Sequence, residues 1–208
     1  MLLHAATGCG SLIVEAALAW ADVPYTLELT GFKEIAERTR SNLLAANPLG
    51  QVPTLVLDDG TVLSESAAIV LWLDEQHPQA GLLPPRGSAA RAHALRWMQF
   101  LVSAIYPTFT VGDFPERWVS GEAAQQELLE STKSRRMAMW QMLAPAARGP
   151  WFCGEQPSIV DVYLAVMTRW HPKRAWFAEH LPALHAISQR ADALPALAPL
   201  IARDFPAA

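Results

Sequence analysis

The segment 47–66 constrains the fold more than any other part of the sequence. Its two apolar runs, 54–57 and 61–63, flank Asp-Asp-Gly at 58–60, and Asp-Gly between such runs is a strong hairpin signal. Pro53 comes just before the first run. Because proline cannot donate to a sheet ladder, Pro53 marks the beginning of a strand or a sheet edge. X-Pro is also the peptide bond that adopts cis geometry at modest cost, usually in tight turns. The segment therefore predicts a tight antiparallel hairpin that begins at a proline.

A helix is predicted directly after the hairpin. Ser64, Glu65 and Ser66 precede the apolar run 67–73. Hydroxyl and carboxylate side chains cap helix N-termini, and the N–H groups of the first turn then face outward and can bind an anion. We therefore expect a helix over 66–77 with a side-chain cap and an anion-binding N-terminus.

The order of elements predicts a two-domain protein. A strand at 1–6, a helix at 12–21 and an alternating strand at 25–29 form a βαβ unit, whose strands are parallel. A charged helix or loop at 31–46 leads to the hairpin. This order predicts an α/β thioredoxin-like N-terminal domain over 1–78.

The second half is predicted to be all helical. A linker rich in proline and glycine spans 79–88, and no convincing strand follows it. Long helices are expected at 90–102 and 122–143, with Pro107 and Pro115 interrupting the chain between them. The prediction is an all-α C-terminal domain over 89–208.

Composition excludes several classes of function. The 208 residues are 51% hydrophobic and 17% charged, with a formal charge of −4 and no basic stripe, so nucleic acid is not an expected partner. No apolar run reaches the roughly 18 residues that span a bilayer, and no secretory signal is visible, so no membrane partner is expected. The cysteines are Cys9 and Cys153, far apart and without metal spacing. We expect a cytoplasmic protein without a metal.

The central segment resembles a known binding motif. It reads Asn-Pro-Leu-Gly-Gln-Val-Pro at 47–53, and Glu-Ser follows the hairpin. This pattern, with the α/β-then-helical order, resembles the glutathione S-transferase family, nearest to its bacterial Beta-like classes. In that family the residue before a cis proline lends its backbone to the cysteinyl part of glutathione, and the Glu-Ser pair holds the γ-glutamyl end. The resemblance implies glutathione as co-substrate. The implied binding residues are Gln51, Val52, Pro53, Glu65 and Ser66.

Several groups are candidates for stabilising the glutathione thiolate. A helix N-terminus with one hydroxyl or thiol donor lowers the pKa of such a sulfur, and the loop 7–11 is the expected place. The Beta-class cysteine aligns with Gly10, so Cys9 is one position away. Cys9 is expected either to have a lowered pKa and form a mixed disulfide, or to be a small buried residue. Ser11 is either a donor to the thiolate or the cap of the following helix. Backbone N–H groups of the loop are a third possibility.

Two residues of the helical half belong to the implied substrate pocket. Tyr106 falls where Beta-class relatives place a histidine that lines the electrophile pocket, and it either donates its phenol or packs. Gln99 falls where they place an asparagine that reaches the glutathione of the partner subunit.

A capping box supports the helical assignment independently. Ser158 is followed three residues later by Asp161, just before an apolar run, and such a pair satisfies two orphan N–H groups. Relatives carry this box at a buried helix, so its expected role is structural. Loss of Asp161 is expected to cost about 0.5–2 kcal/mol of stability.

The sequence thus predicts a homodimeric glutathione S-transferase that conjugates the thiolate to small hydrophobic electrophiles, a detoxification reaction. Two alternatives remain open. One is a glutathione-dependent thiol–disulfide reductase that uses Cys9. The other is a transferase-like binding module without catalysis.

Overall fold

The computed structural model describes residues 1–206 and begins with a sheet in the order β2-β1-β3-β4. The strands are β1 Leu2–Ala5, β2 Thr26–Leu29, β3 Thr54–Val56 and β4 Val62–Ser64. β1 runs parallel to β2, whereas β3 is antiparallel to both β1 and β4. The observed topology is the predicted βαβ unit followed by an antiparallel hairpin.

The hairpin turn lies at the predicted Asp-Gly. Leu57 N donates to Thr61 O at 2.8 Å, and Gly60, with φ +85°, donates to Leu57 O. Asp59 Oδ1 accepts from Thr61 N at 2.8 Å and closes the loop. Because Leu57 and Thr61 already belong to this turn, β3 ends one residue earlier than its apolar run, and β4 begins one residue later than its run.

In the first half, helices connect β1 to β2 and β2 to β3, and a further helix follows β4. They are α1 Ser11–Trp20, α2 Phe32–Glu37, α3 Ser41–Ala46 and α4 Ser66–Gln76. α1 is almost entirely buried and packs against α4. The predicted helix or loop at 31–46 is thus two short helices.

The rest of the described chain is helical. Its helices are α5 Ala89–Phe100, α6 Tyr106–Asp113, α7 Glu122–Leu143, α8 Ile159–Met167, α9 Lys173–His180, α10 Pro182–Asp192 and α11 Ala198–Asp204. α7 has the predicted bounds. A π-helical turn, Leu101–Ile105, joins α5 to α6. The predicted interruption at Pro107 is wrong, because the backbone stays helical from α5 through this turn into α6, whereas Pro115 does follow the end of α6.

α8 connects the two halves. All its residues are buried, and it packs against α1 and α10. It begins at the predicted capping box, where Asp161 Oδ2 accepts from Ser158 N at 2.7 Å. The other oxygen, Oδ1, accepts from Phe152 N at 2.7 Å, a bond that the motif did not reveal. Within residues 1–206, no helix combines the length and apolar character needed to cross a membrane.

Candidate functional site

A cavity of about 830 Å³ is lined by residues of both the sheet half and the helical half. The loop after β1, the segment before β3 and the start of α4 line one side. Residues of α6, α7 and the chain after α8 line the other. Its size suits a small ligand, and its walls combine aromatic and polar groups. The cavity is therefore the candidate site.

One edge of the cavity is formed by the backbone around Val52. The Val52–Pro53 peptide is cis, as the resemblance implies. Neither the N–H nor the C=O of Val52 is paired with another group of residues 1–206. Asn47 fixes this loop, because its Nδ2 donates to Gln51 O at 3.2 Å and to Thr54 Oγ1 at 3.1 Å. The backbone of Val52 thus lies at the cavity on a loop that Asn47 fixes, and its N–H and C=O have no partner within residues 1–206.

Glu65 and Ser66, at the start of α4, also line the cavity. Glu65 has φ +66°, which is uncommon for a residue other than glycine and is concentrated at functional sites. The expected side-chain cap of α4 is wrong, because no side chain caps this helix. Instead Ser66 Oγ accepts a 2.8 Å bond from Tyr163 Oη of α8. Sequence reasoning missed Tyr163, which no local pattern connects to Ser66.

The loop between β1 and α1 is held from two sides at Gly8. This glycine has φ +70°, its N–H donates to Asp204 Oδ2 at 2.8 Å, and its C=O accepts from Trp170 Nε1 at 2.9 Å. Asp204 also binds Arg203, which forms a two-bond ion pair with the buried Glu15 of α1. The C-terminal helix α11 therefore fixes the loop on which Cys9 lies.

The structure contradicts the expected low pKa of Cys9. Cys9 lines the cavity, but burial and the carboxylates of Asp113 and Asp204 raise the pKa of its thiol to about 11. A helix N-terminus alone would lower the pKa of this thiol, but burial and carboxylates from the helical half outweigh it here.

Ser11 does not reach the cavity. Its side chain is fully buried, and its hydroxyl both accepts from Ala6 N and donates to Ala6 O, at 3.0 and 3.1 Å. It is not the cap of α1 either, since Gly10 occupies the N-cap position and no side chain caps this helix. Both expectations for Ser11 are therefore corrected: its hydroxyl closes the turn after β1.

Tyr106 lies at the centre of the cavity wall, where the two halves meet. Its ring packs edge-on against Trp170 and Phe109, with centroid distances of 5.4 and 6.3 Å. Its phenol lies against Gly10 at the start of α1. Burial raises the pKa of Tyr106 well above its ordinary value, so the phenol stays protonated.

The remaining wall of the cavity is aromatic, and the basic side chain of Arg136 packs against it. The ring of Phe114 stacks on that of the exposed Phe32, with 5.5 Å between the ring centroids, and Trp118 is 60% exposed to solvent. Arg136 lies under the ring of Phe109 and donates to the hydroxyl and carbonyl of Thr108. Burial lowers the pKa of Arg136 to about 10, so it remains charged at neutral pH.

Gln99 lies outside the cavity. It is exposed on a separate groove that it shares with Trp97, Phe100 and Met142. Gln99 therefore does not line the cavity of its own chain, and its expected contact with the glutathione of a partner subunit stays a prediction. Cys153 is buried next to Ser158. Among residues 1–206, no cluster of three or more His, Cys, Asp or Glu is arranged to hold a metal ion.

Comparison with known proteins agrees with this geometry. A family model described as the N-terminal domain of glutathione S-transferase matches residues 11–76. The chain is 35% identical to the GST-like protein YncG of Escherichia coli K12, over 97% of each chain. The chain belongs to the glutathione S-transferase family. The transferase GstA of Escherichia coli O157:H7 is 29% identical and covers 91% of this chain and 92% of its own.

Solved structures show the same fold. A glutathione transferase homologue from Sulfitobacter, solved with bound glutathione, superposes with a TM-score of 0.86 at 26% identity. The match covers 97% of each chain. The whole described chain, and not only the sheet half, therefore has the architecture of a bacterial transferase.

Proposed function

We propose that the protein is a glutathione transferase that binds glutathione along Gln51, Val52, Pro53, Glu65 and Ser66. The observation that carries the proposal is the unpaired backbone of Val52, which shares one cavity with Glu65 and Ser66. An extended tripeptide pairs with that backbone at its middle residue. Its amino-acid end then reaches the start of α4, where backbone N–H groups favour a carboxylate.

The electrophile lies on the opposite wall. Aromatic side chains of α6 and the following segment cover this wall, which favours a small hydrophobic compound. The sulfur of glutathione attacks the electrophilic carbon, a C–S bond forms, and the leaving group departs with its bonding electrons. Where the electrophile is a double bond, a proton from solvent completes the addition.

Binding is tested by calorimetry with glutathione at millimolar concentration. The wild-type protein is expected to bind, while Ser66→Ala and Glu65→Gln lower the affinity. Glu75→Gln is the matched control, since Glu75 is an exposed acid on the same helix. Absence of binding by the wild type would remove the basis of the proposal.

Turnover distinguishes conjugation from the alternatives. Conversion of a generic aryl halide supports a transferase, whereas binding without turnover supports a binding module. The reductase alternative requires the thiolate of Cys9, and the raised pKa of this thiol opposes it. Cys9→Ser is therefore expected to retain conjugation. Loss of a measured reductase activity in the same variant would instead favour the alternative.

We also propose that the protein acts as a cytoplasmic homodimer. Both cysteines are free, which suits a reducing compartment. The groove that contains Gln99 includes Met142, which is 61% exposed, and an apolar side chain on such a face is typical of an interface. Sedimentation gives the mass directly. A dimer that Met142→Glu weakens supports the proposal, and a monomeric wild type contradicts it.

A further inference from the structure

The phenol of Tyr106 occupies the space that a side chain at position 10 would fill. A Cβ built on Gly10 lies 2.5 Å from Tyr106 Oη, 2.8 Å from Cε2 and 3.0 Å from Cζ. Contacts this short are not tolerated, so no side chain fits there while the phenol stays. Gly10 has φ −64° and ψ −15°, a helical conformation open to every residue. The glycine is therefore required for space, and not for its backbone freedom.

Other donors at this end of the cavity are poorly placed. The Ser11 hydroxyl already accepts a hydrogen bond from Ala6 N and donates one to Ala6 O. Cys9 carries a thiol whose pKa is raised to about 11. Thr7 lines the cavity, but it is exposed to solvent and is separated in sequence from α1 by Gly8, Cys9 and Gly10.

The surrounding rings hold the phenol in a fixed position. Trp170 contacts the ring of Tyr106 and also donates to the carbonyl of Gly8, so one side chain fixes both the phenol and the loop. Phe109 covers another edge of the ring. The π-helical turn Leu101–Ile105 ends directly before Tyr106, and such turns are frequent at functional sites.

We propose that Tyr106, a residue of the helical half, donates the hydrogen bond that stabilises the glutathione thiolate at the N-terminus of α1. The inference rests on the proposed function. The glutathione S–H gives its proton to solvent, and the thiolate sulfur then accepts the O–H of Tyr106. The phenol keeps its proton throughout, because its high pKa makes it a donor and not an acid. The sulfur lone pair forms the new C–S bond.

The test is the pKa of the thiol of bound glutathione, measured from the ultraviolet absorbance of the thiolate in the complex. Tyr106→Phe keeps the ring and removes only the hydroxyl. A hydrogen bond to a charged acceptor lowers a pKa by about 1 to 2 pH units, so the variant is expected to raise the pKa of the thiol by that amount. A role in packing alone would leave this pKa unchanged.

Two further variants separate the possible donors. Ser120→Ala removes an exposed hydroxyl outside the cavity, and Thr7→Val removes the competing hydroxyl; both are expected to keep the wild-type pKa of the bound thiol. An unchanged pKa in Tyr106→Phe, or a rise in Thr7→Val instead, would overturn the inference. Failure of the wild type to bind glutathione overturns the proposed function instead, so the two failures are distinguishable.

A double variant tests the shared space. Tyr106→Ala removes the donor and is expected to raise the pKa of the thiol. Adding Gly10→Ser to that variant places a hydroxyl in the vacated space, and the pKa is expected to fall back toward the wild-type value. A double variant no different from Tyr106→Ala contradicts the claim that the two positions share one site.

Discussion

Replacing Asp161 with alanine is expected to destabilise the protein more than the loss of a helix cap does. The carboxylate is fully buried and accepts bonds from Phe152 N, Ser158 N and Ser158 Oγ at 2.7, 2.7 and 3.1 Å. It therefore joins the 151–154 loop to the start of α8, the most buried helix of the second half. A helix cap alone would satisfy only the N–H groups at the start of α8, and not the N–H of Phe152 in the loop.

The magnitude follows from the groups left without a partner. Asp161→Ala leaves two buried backbone N–H groups unpaired, at about 1–3 kcal/mol each. Burial raises the pKa of Asp161, so removing its charge offsets part of that loss. We expect a net loss of about 2–4 kcal/mol in the free energy of unfolding. Ser158→Ala keeps both N–H bonds and is expected to lose about 0.5–1.5 kcal/mol.

The assay is urea unfolding followed by circular dichroism, at one fixed protein concentration for all variants. Glu155→Ala is the control, because Glu155 is an exposed acid in the same loop and its loss is expected to stay within about 0.5 kcal/mol. The reasoning is refuted if Asp161→Ala loses no more stability than Ser158→Ala. In that case the bond to Phe152 contributes nothing beyond the cap.

Three other perturbations test the site. Because the pKa of Cys9 is raised to about 11, the rate of its alkylation by iodoacetamide is expected to rise about tenfold per pH unit from neutral pH upward. Mass spectrometry follows the reaction, and a rate that levels off near neutral pH contradicts the raised pKa. Asp204→Asn weakens the acceptor for Gly8 N–H and is expected to lower glutathione affinity roughly three- to tenfold in calorimetry, while Asp22→Asn, an exposed aspartate, does not. Tyr163→Phe frees the hydroxyl of Ser66 and is expected to lower that affinity by a similar factor; unchanged affinity would show that the 2.8 Å bond does not position Ser66.

Local patterns were sufficient to predict much of the fold. The Asp-Gly turn at 58–60, the βαβ order and the Ser158–Asp161 box each depend on residues close together in sequence, and the structure confirms all three. The bounds of α7 also agree. Where a helix start was judged from residue type alone, as at Ser66 and Ser11, the predicted side-chain cap was wrong. A hydroxyl near a helix start binds whichever partner the tertiary structure brings to it.

The groups that complete the candidate site could not be predicted in this way. Gly8 binds Trp170 and Asp204 across sequence separations of 162 and 196 residues. No periodicity or motif connects residues so far apart. The same holds for the pKa of Cys9, because burial in the assembled fold raises it first, and the carboxylates of Asp113 and Asp204, both distant in sequence, raise it further.

These contacts show that the cavity depends on both halves of the chain. Two polar features of the sheet half are held by side chains of the helical half: Gly8 by Trp170, and Ser66 by Tyr163. Gly10 leaves room for Tyr106. Under the proposed function, a change in the helical wall alters the electrophile pocket and the position of the thiolate together. Phe114 and Trp118 line the cavity but take no part in these contacts. Substituting either residue is therefore expected to change substrate preference while preserving the pKa of the bound thiol.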